Sequence, residues 1–196
     1  MPQENARVLQ FPAAEAEEAV ATLLRFIGEE PERDGLRDTP ARVVKAWREM
    51  TGGYAEDPAE ILARTFDESS DELVILRGIS FYSTCEHHLL PFYGQAVVGY
   101  LPGKVVGISK LARLVECFAK RLQVQERMTH EIAHSLFDAI QPQGVAVVVE
   151  AQHLCMMARG VQKQASRMVT SAVLGDFRDD RRTRSEFMQL LCRNAE

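Results

Sequence analysis

The ten residues from position 83 read Ser83-Thr84-Cys85-Glu86-His87-His88-Leu89-Leu90-Pro91-Phe92. Four consecutive positions in this stretch carry a thiol, a carboxylate and two imidazoles, which is unfavourable in an ordinary core because buried polar groups need partners. A thiolate and an imidazole separated by two residues are suited to holding one metal ion, and this pair favours zinc. The stretch lies between two strand-like runs, residues 73–81 and 95–100, so we expect it to form a turn between strands.

A second polar cluster lies downstream, at His153-Leu154-Cys155-Met156-Met157-Ala158-Arg159-Gly160. It follows the apolar run 145–149, which predicts a buried strand. If the two clusters meet, Cys85, His88 and Cys155 supply three metal ligands and leave a fourth position open, as in catalytic zinc sites. His87 and His153 then remain available as proton carriers.

Other interpretations of these residues stay open at this point. Cys85 and Cys155 are also compatible with a disulfide or with ordinary buried thiols, and His87 or His153 with a hydrogen-bonded core histidine. We favour the metal site because three of the 5 histidines lie beside two of the 4 cysteines. A structural zinc site without catalysis is a further alternative, and it predicts a fourth protein ligand.

The composition excludes several classes of protein. A chain of 196 residues with 46% apolar residues predicts one domain of ordinary globular composition. The net charge of −5 and the lack of a basic excess predict no nucleic-acid partner. No apolar run is long enough to span a bilayer, and the N-terminus lacks a signal-peptide core, so we expect a cytoplasmic protein with no membrane partner. In that compartment metal-bound or free thiols are favoured over disulfides.

Hydrophobic periodicity predicts an α+β protein. It divides the chain into a disordered tail (1–12), an N-terminal helical region (13–71) and a domain of mixed helices and strands (72–196). Helices are predicted at 13–30, 40–50, 109–122 and 123–140, and after the capping signature Thr183-Arg184-Ser185-Glu186. Strands are predicted at 73–81, 92–101, 145–150 and 166–174, and a charged loop at 176–182. Two strand pairs with a helix pair between them predict an antiparallel sheet with helices packed on one face.

Cations cluster near the start of two predicted helices. Lys110 and Arg113 follow Ser109 in a first helical turn, where the helix dipole disfavours positive charge. Together with the free backbone N–H groups they form a good anion site, which we favour over simple exposure. Arg42 and Lys45 share one face of an earlier helix, and by themselves they are best explained as a solvent-exposed pair.

Taken together, the motifs resemble those of the GTP cyclohydrolase I family. In chain order they are Thr39-Pro40-Ala41-Arg42-Val43-Val44-Lys45-Ala46-Trp47, Ser83-Thr84-Cys85-Glu86-His87-His88, Gly107-Ile108-Ser109-Lys110-Leu111-Ala112-Arg113, Gln123-Val124-Gln125-Glu126-Arg127, and His153-Leu154-Cys155 with Arg159-Gly160-Val161. Several motifs in the family's order are far more specific than any single one. The resemblance covers roughly the last two-thirds of the chain and the short stretch near its start.

This resemblance implies the tunnelling fold (T-fold), in which the sheets of several subunits assemble into barrels. It implies a homodecamer of two face-to-face pentamers with active sites between subunits. The implied reaction converts GTP and water to formate and 7,8-dihydroneopterin triphosphate, the first step towards folate or tetrahydrobiopterin. Other T-fold enzymes, which act on pterins or deazapurines, share the purine-anchoring glutamate but lack the two cysteines and the histidine.

The resemblance also implies roles for individual residues. It makes Cys85, His88 and Cys155 the zinc ligands, and His87 and His153 the groups that transfer protons. Zinc lowers the pKa of a coordinated water towards ~7, and an imidazole with a pKa of about 6.5 suits proton transfer at neutral pH.

The remaining matched positions imply the substrate contacts. Glu126 would accept hydrogen bonds from the edge of the guanine ring, with Gln125 beside it. Met168 stands where the family pattern leads us to expect a small hydroxyl residue. The triphosphate would be bound by cations and one hydroxyl, namely Arg159, Arg113, Lys110, Ser109, Arg42 and Lys45.

Overall fold

The structure, a computed structural model, describes residues 12–66 and 72–192. Almost all of the predicted N-terminal tail lies outside these ranges, as does the end of the acidic stretch before position 72. The helices are α1 (Ala13–Phe26), α2 (Thr39–Met50), α3 (Pro58–Leu62), α4 (Ile108–Ala119), α5 (Gln125–Ile140), α6 (Leu154–Met157), α7 (Asp176–Asp179) and α8 (Arg181–Cys192), with a 3-10 turn at Gly52–Ala55. The strands are β1 (Thr65–Phe66), β2 (Val74–Cys85), β3 (Pro91–Leu101), β4 (Val105–Val106), β5 (Leu122–Gln123), β6 (Gly144–His153) and β7 (Met168–Gly175).

The main sheet has the strand order β5-β2-β3-β6-β7. All of its pairings are antiparallel except that of the short β5 with β2, which is parallel. β2 and β3 form a hairpin whose turn carries His87 and His88, and Phe92 in β3 lies opposite His153 in β6. This register places the end of β6 beside the hairpin turn, so the two polar clusters of the sequence meet at one end of the sheet.

The two faces of the sheet bury different side chains, because successive residues of a strand point to opposite sides. On one face α4 packs against β2 while α5 packs against β6 and β7, around side chains such as Val98, Leu114 and Ile132 that are fully buried. On the other face Phe177 and Phe187 pack against Val97 and Val148. The α+β fold with a largely antiparallel sheet is confirmed. The last helix, α8, packs on the sheet face opposite α4 and α5, so the helices cover both faces and not the single face that was predicted.

Element boundaries differ from the sequence predictions where tertiary contacts extend or divide a segment. β2 and β6 continue past their predicted ends into the polar clusters, and residues 122–123, predicted to be helical, form β5 against the end of β2. The predicted charged loop contains α7, because Phe177 turns into the core and is fully buried. The predicted cap at Thr183 is wrong, since α8 starts at Arg181 and the Asp180 carboxylate accepts from the Arg182 N–H and the Thr183 hydroxyl.

The N-terminal region is joined to the domain by packing of α3 on α4 and α5 and by a close backbone contact at Gly53. α1 packs on α2, and the 3-10 turn packs on α4 at Gly53, where a Cβ would lie 2.1 Å from the Cys117 carbonyl oxygen. The buried Arg121 guanidinium donates to the carbonyls of Gly53 and Cys117 at 3.1 and 2.9 Å. Along the residues that the structure describes, no helix is both long and apolar enough to cross a membrane.

Candidate metal centre

Two thiols and one imidazole converge at the end of the sheet. One ligand atom from each of Cys85, His88 and Cys155 lies within 4.8 Å of the others. Cys85 is the last residue of β2, His88 lies in the turn, and Cys155 lies in the single-turn helix α6 that follows β6. Both cysteines are free thiols, so the disulfide interpretation is wrong. Two soft sulfur donors and an imidazole fit a zinc ion, and this group supplies three ligands, as catalytic sites do.

The conformation of the hairpin turn brings His88 back towards Cys85. The Leu89 N–H donates to the Cys85 carbonyl at 2.8 Å, and the Cys85 N–H donates to the Leu90 carbonyl at 2.9 Å. Leu89 adopts the left-handed conformation, with φ 55°, which costs a leucine roughly 1–2 kcal/mol. In this turn Nδ1 of His88 lies 3.9 Å from Sγ of Cys85.

The charge balance of the centre favours a bound cation. Burial raises the pKa of the Cys155 thiol, and the adjacent Cys85 thiol raises it further. A thiol beside another thiol is harder to ionise when the two negative charges would repel each other, as at Cys155, and a divalent cation at such a site reverses that effect. Arg159 lies at the edge of the group, with Nη1 3.3 Å from Nε2 of His88.

An arginine from α5 holds the hairpin turn in place. Arg127 forms an ion pair with Glu86, which directly follows Cys85, and this bond lowers the pKa of the Glu86 carboxyl. The same guanidinium donates to the Gln123 side-chain oxygen at 3.2 Å and to the Leu122 carbonyl at 3.1 Å. Arg127 belongs to the motif that begins at Gln123, but the sequence predicts no role for it. Nothing in the local sequence indicates that its side chain reaches the hairpin turn.

His153 is fixed by two contacts beside the metal group. Its ring stacks on Phe92 with centroids 4.6 Å apart and an angle of 3° between planes, and its Nε2 lies 2.8 Å from Oε1 of Gln125. Burial lowers the pKa of His153, and the nearby Glu126 carboxylate opposes that shift. His87, by contrast, is exposed, with its Nε2 3.9 Å from a Glu86 oxygen.

The sequence profile of the GTP cyclohydrolase I family matches residues 16–192. The chain belongs to the GTP cyclohydrolase I family. Relatives named GTP cyclohydrolase 1 include one from Wolinella succinogenes, 57% identical over 174 residues, which are 88% of this chain and 93% of the relative. Another from Coxiella burnetii is 55% identical over 88% of this chain and 95% of its own length. A third from Synechococcus is 55% identical over 88% of this chain and 76% of its own length.

Among solved structures, the apo form of the archaeosine synthase QueF-Like aligns with 55% of this chain and 97% of its own. The two are 20% identical with a TM-score of 0.45, a likeness too weak to bear on function.

The residues predicted to contact guanine lie at the start of α5. Glu126 is exposed and borders a groove of about 350 Å³ beside β7. Gln125 is buried, with 1% of its surface exposed, and its side-chain amide is engaged within the protein. Met168 contributes its backbone to this region, because its carbonyl accepts from Nε2 of Gln125 at 3.0 Å.

The other predicted phosphate contacts lie on α2 and α4, outside the segments that carry the metal group. Ser109, Lys110 and Arg113 lie in the first half of α4, whereas the end of α4 leads through β5 to Cys85. A helix rises about 1.5 Å per residue, so roughly 15 Å separate the first turn of α4 from that end of the sheet. Two further cations lie exposed on α2, namely Arg42, which pairs with Asp38 at 2.9 Å, and Lys45. Of the six predicted phosphate-binding residues, Arg159 is the one that the described residues place against the metal group.

Proposed function

We propose that this protein converts GTP and water to formate and 7,8-dihydroneopterin triphosphate, the first step of folate or tetrahydrobiopterin biosynthesis. The observation that carries the proposal is the convergence of Cys85, His88 and Cys155 within 4.8 Å in a member of the GTP cyclohydrolase I family. The three donors come from two segments separated by more than sixty positions, and the sheet register brings them together. A packing role alone does not account for two thiols and an imidazole at one point.

Zinc is the metal that we assign to this centre. Cys85, His88 and Cys155 would hold it, since thiolate and imidazole ligands in threes are typical of catalytic zinc. When bound, zinc supplies a Lewis acid that lowers the pKa of a coordinated water to about 7. The ligands come from the end of β2, the hairpin turn and α6, so their positions depend on the β2–β3–β6 register.

Two histidines are assigned to proton transfer. His153 suits this role because its ring is held between Phe92 and Gln125 and because burial keeps it neutral, and therefore able to accept a proton, near pH 7. His87 is exposed in the turn, where it is accessible to a substrate.

Binding of GTP is assigned to acidic and basic groups at separate places. We propose that Glu126 accepts hydrogen bonds from the guanine edge, where a carboxylate facing two N–H donors selects guanine over adenine. The planar guanidinium group of arginine suits the triphosphate because it can donate two parallel hydrogen bonds to phosphate oxygens. The proposed phosphate contacts are Arg159, Arg113, Lys110, Ser109, Arg42 and Lys45.

The separation of these groups in one chain supports an assembly in which a second subunit completes the site. We propose a homodecamer of two pentameric rings with active sites between subunits. The N-terminal helical region, 13–71, and the T-fold catalytic domain, 72–196, would then both contribute to each site. The free thiols agree with a cytoplasmic location, and we propose no nucleic-acid or membrane partner.

Incubation of the purified protein with GTP tests the proposal directly. We expect formate and a fluorescent pterin product, and we expect a chelator to abolish both until zinc is restored. Zinc at one per chain without product formation would indicate a structural metal site instead. Cys117→Ala is the matched control, because Cys117 is also a free buried thiol but lies at the Gly53 contact, away from the three ligands.

A further inference from the structure

Gln125 is a buried amide whose polar atoms all have partners inside the protein. It is the first residue of α5 and 1% of its surface is exposed. Its Nε2 lies 3.1 Å from the Val149 carbonyl oxygen, 3.0 Å from that of Met168 and 3.1 Å from the Thr170 hydroxyl. Its Oε1 lies 2.8 Å from Nε2 of His153. The side chain therefore bridges strands β6 and β7 to the ring of one histidine.

The neighbours of Gln125 decide which way its amide faces. Carbonyl oxygens accept hydrogen bonds and cannot donate them, so the group that faces Val149 and Met168 must be the NH₂. Rotating the amide by half a turn would set its oxygen against two carbonyl oxygens and leave the nitrogen facing His153. That arrangement would lose at least two buried hydrogen bonds, each of which costs about 1–3 kcal/mol when its partner is left unsatisfied.

Two threonines add an independent constraint on the same amide. The Thr129 hydroxyl donates its one hydrogen to the Gln125 backbone carbonyl at 2.7 Å. The Thr129 hydroxyl must therefore accept at its 2.7 Å contact with Thr170, so the Thr170 hydroxyl donates its hydrogen to Thr129. Thr170 can then only accept from Gln125. The bonds form a closed ring in which each hydroxyl donates once and accepts once, and such chains strengthen one another.

This orientation determines the hydrogen on His153. Because Oε1 of Gln125 only accepts, Nε2 of His153 must carry a hydrogen, in the neutral ring as well as in the charged one. In the neutral ring, Nδ1 is then the nitrogen that carries no hydrogen. Phe92 stacks on the ring at 4.6 Å, so the ring is held on its face as well as at its edge.

We propose that Gln125 is a positioning residue that fixes the orientation of the His153 ring and keeps it in the tautomer with hydrogen on Nε2. This assignment departs from the role in guanine binding that the sequence suggested, because the buried amide is already occupied. The effect on turnover rests on the proposed function, whereas the tautomer itself does not.

Magic-angle-spinning NMR of the assembled protein, with ¹⁵N in its histidine rings, reads the tautomer directly. The signals of His153 are identified by their loss in His153→Gln. We expect the neutral ring of the wild-type protein to show a protonated Nε2 and an unprotonated Nδ1. A hydrogen on Nδ1, or an equal mixture of tautomers, would overturn the proposal without any further variant.

Gln125→Met keeps the length of the side chain and removes both hydrogen-bonding groups. We expect this variant to show mixed His153 tautomers and a kcat reduced about 10- to 100-fold, part of the roughly 10²–10⁴-fold that a positioned proton-transfer group contributes. KM should change little, because the amide is buried and its polar atoms are already hydrogen-bonded within the protein. A raised KM with unchanged kcat and tautomer would mean that Gln125 binds GTP itself, contrary to the proposal.

Thr170→Val and Gln123→Met complete the experiment. Thr170→Val preserves shape and removes one of the three acceptors that orient the amide, so it should change tautomer and kcat in the same direction but less. It decides the question if Gln125→Met fails to fold, and an unchanged tautomer and kcat in this variant would then count against the proposal.

Gln123 is a second buried glutamine, whose Nε2 donates to Phe118 and Glu131. Its replacement should lower stability and leave the His153 signals unchanged.

The two proposals fail in different ways. If the wild-type protein forms no formate from GTP, the proposed function is wrong, and the NMR spectrum still decides the tautomer. If formate is produced while Nε2 of His153 lacks its hydrogen, the function stands and the role of Gln125 is wrong.

Discussion

At the scale of single residues, the candidate metal centre has two kinds of side chain, those that could hold an ion and those that lie beside them. Cys155 offers a sulfur to the group of three ligands, whereas His153, two positions earlier, turns its ring to Phe92 and Gln125. Neighbours in sequence therefore have different roles because they lie on either side of the junction between β6 and α6.

Replacing these two residues should separate metal binding from turnover. Cys155→Ala leaves two ligands, so we expect loss of both zinc and activity. His153→Ala leaves all three ligands, so we expect zinc to remain near one per chain while kcat falls by about 10²–10⁴-fold. Metal analysis and formate release measured on the same samples test this, and full zinc content in Cys155→Ala would refute the ligand assignment.

At the scale of elements, the hairpin turn depends on α5 for its position. Glu86 lies directly after the first cysteine ligand and pairs with Arg127, which also contacts the two residues of β5. Because the turn carries both Cys85 and His88, movement of the turn would displace two of the three ligands together.

Arg127→Met should therefore weaken zinc binding without removing a ligand. Partners that hold metal ligands in place typically account for 10–100-fold in affinity, and we expect a loss of about tenfold in a competition titration with a chelating dye. Arg167→Met is the matched control, since Arg167 also pairs with a glutamate on the surface, at 2.9 Å from Glu150. Equal zinc affinity in the two variants would mean that the Arg127 contacts do not position the turn.

The close pairing of β3 and β6 is the second condition for the centre. A Cβ on Gly94 would lie 1.9 Å from the Glu150 carbonyl oxygen and 2.7 Å from Cα of Ala151. Any side chain there would push β3 away from β6 and separate Phe92 from His153.

Gly94→Ala should accordingly lower both stability and zinc content. We expect a loss of about 1–3 kcal/mol in the free energy of unfolding, typical of overpacking, together with weaker zinc binding. Gly103→Ala serves as control, because the nearest atom to its Cβ, the Gln141 carbonyl oxygen, is 3.9 Å away. Denaturant titration and metal analysis test both variants, and a fully stable Gly94→Ala would contradict the predicted clash.

At the scale of the whole molecule, one chain carries Arg113 and the metal group on different elements. The group of three lies at the end of β2, in the hairpin turn and in α6, whereas Arg113 lies midway along α4. Within one chain, most of the proposed phosphate contacts therefore lie apart from the metal group. Two copies placed suitably would combine them.

Mixing two inactive variants tests this arrangement. If Cys155→Ala and Arg113→Ala chains are unfolded together and reassembled in equal amounts, some sites will take an intact metal group from one chain and an intact Arg113 from its neighbour. Random assembly would make on the order of a quarter of the sites intact. Recovery of GTP turnover to about that fraction is expected, and no recovery above that of the separate variants would place both groups in one chain.

The sequence by itself predicted that Cys85, His88 and Cys155 would converge, and it located most of the elements. Thiols and imidazoles so close together have few other uses, and the strand and helix periods around them predicted β3, α2 and most of α5. Local patterns failed at β5, where a hydrogen-bonding partner 38 positions away from Leu122 decides the conformation. They also failed at α7, where burial of Phe177 outweighs a charged sequence.

Only the tertiary structure decided how the groups act on one another. That Cys85 and Cys155 are free, that Arg127 holds the turn, and that Gln125 orients His153 all depend on contacts between residues distant in sequence. Hydrogen bonds and ion pairs act over about 3 Å, and no periodicity along a chain shows which side chains the strand register will bring within that distance.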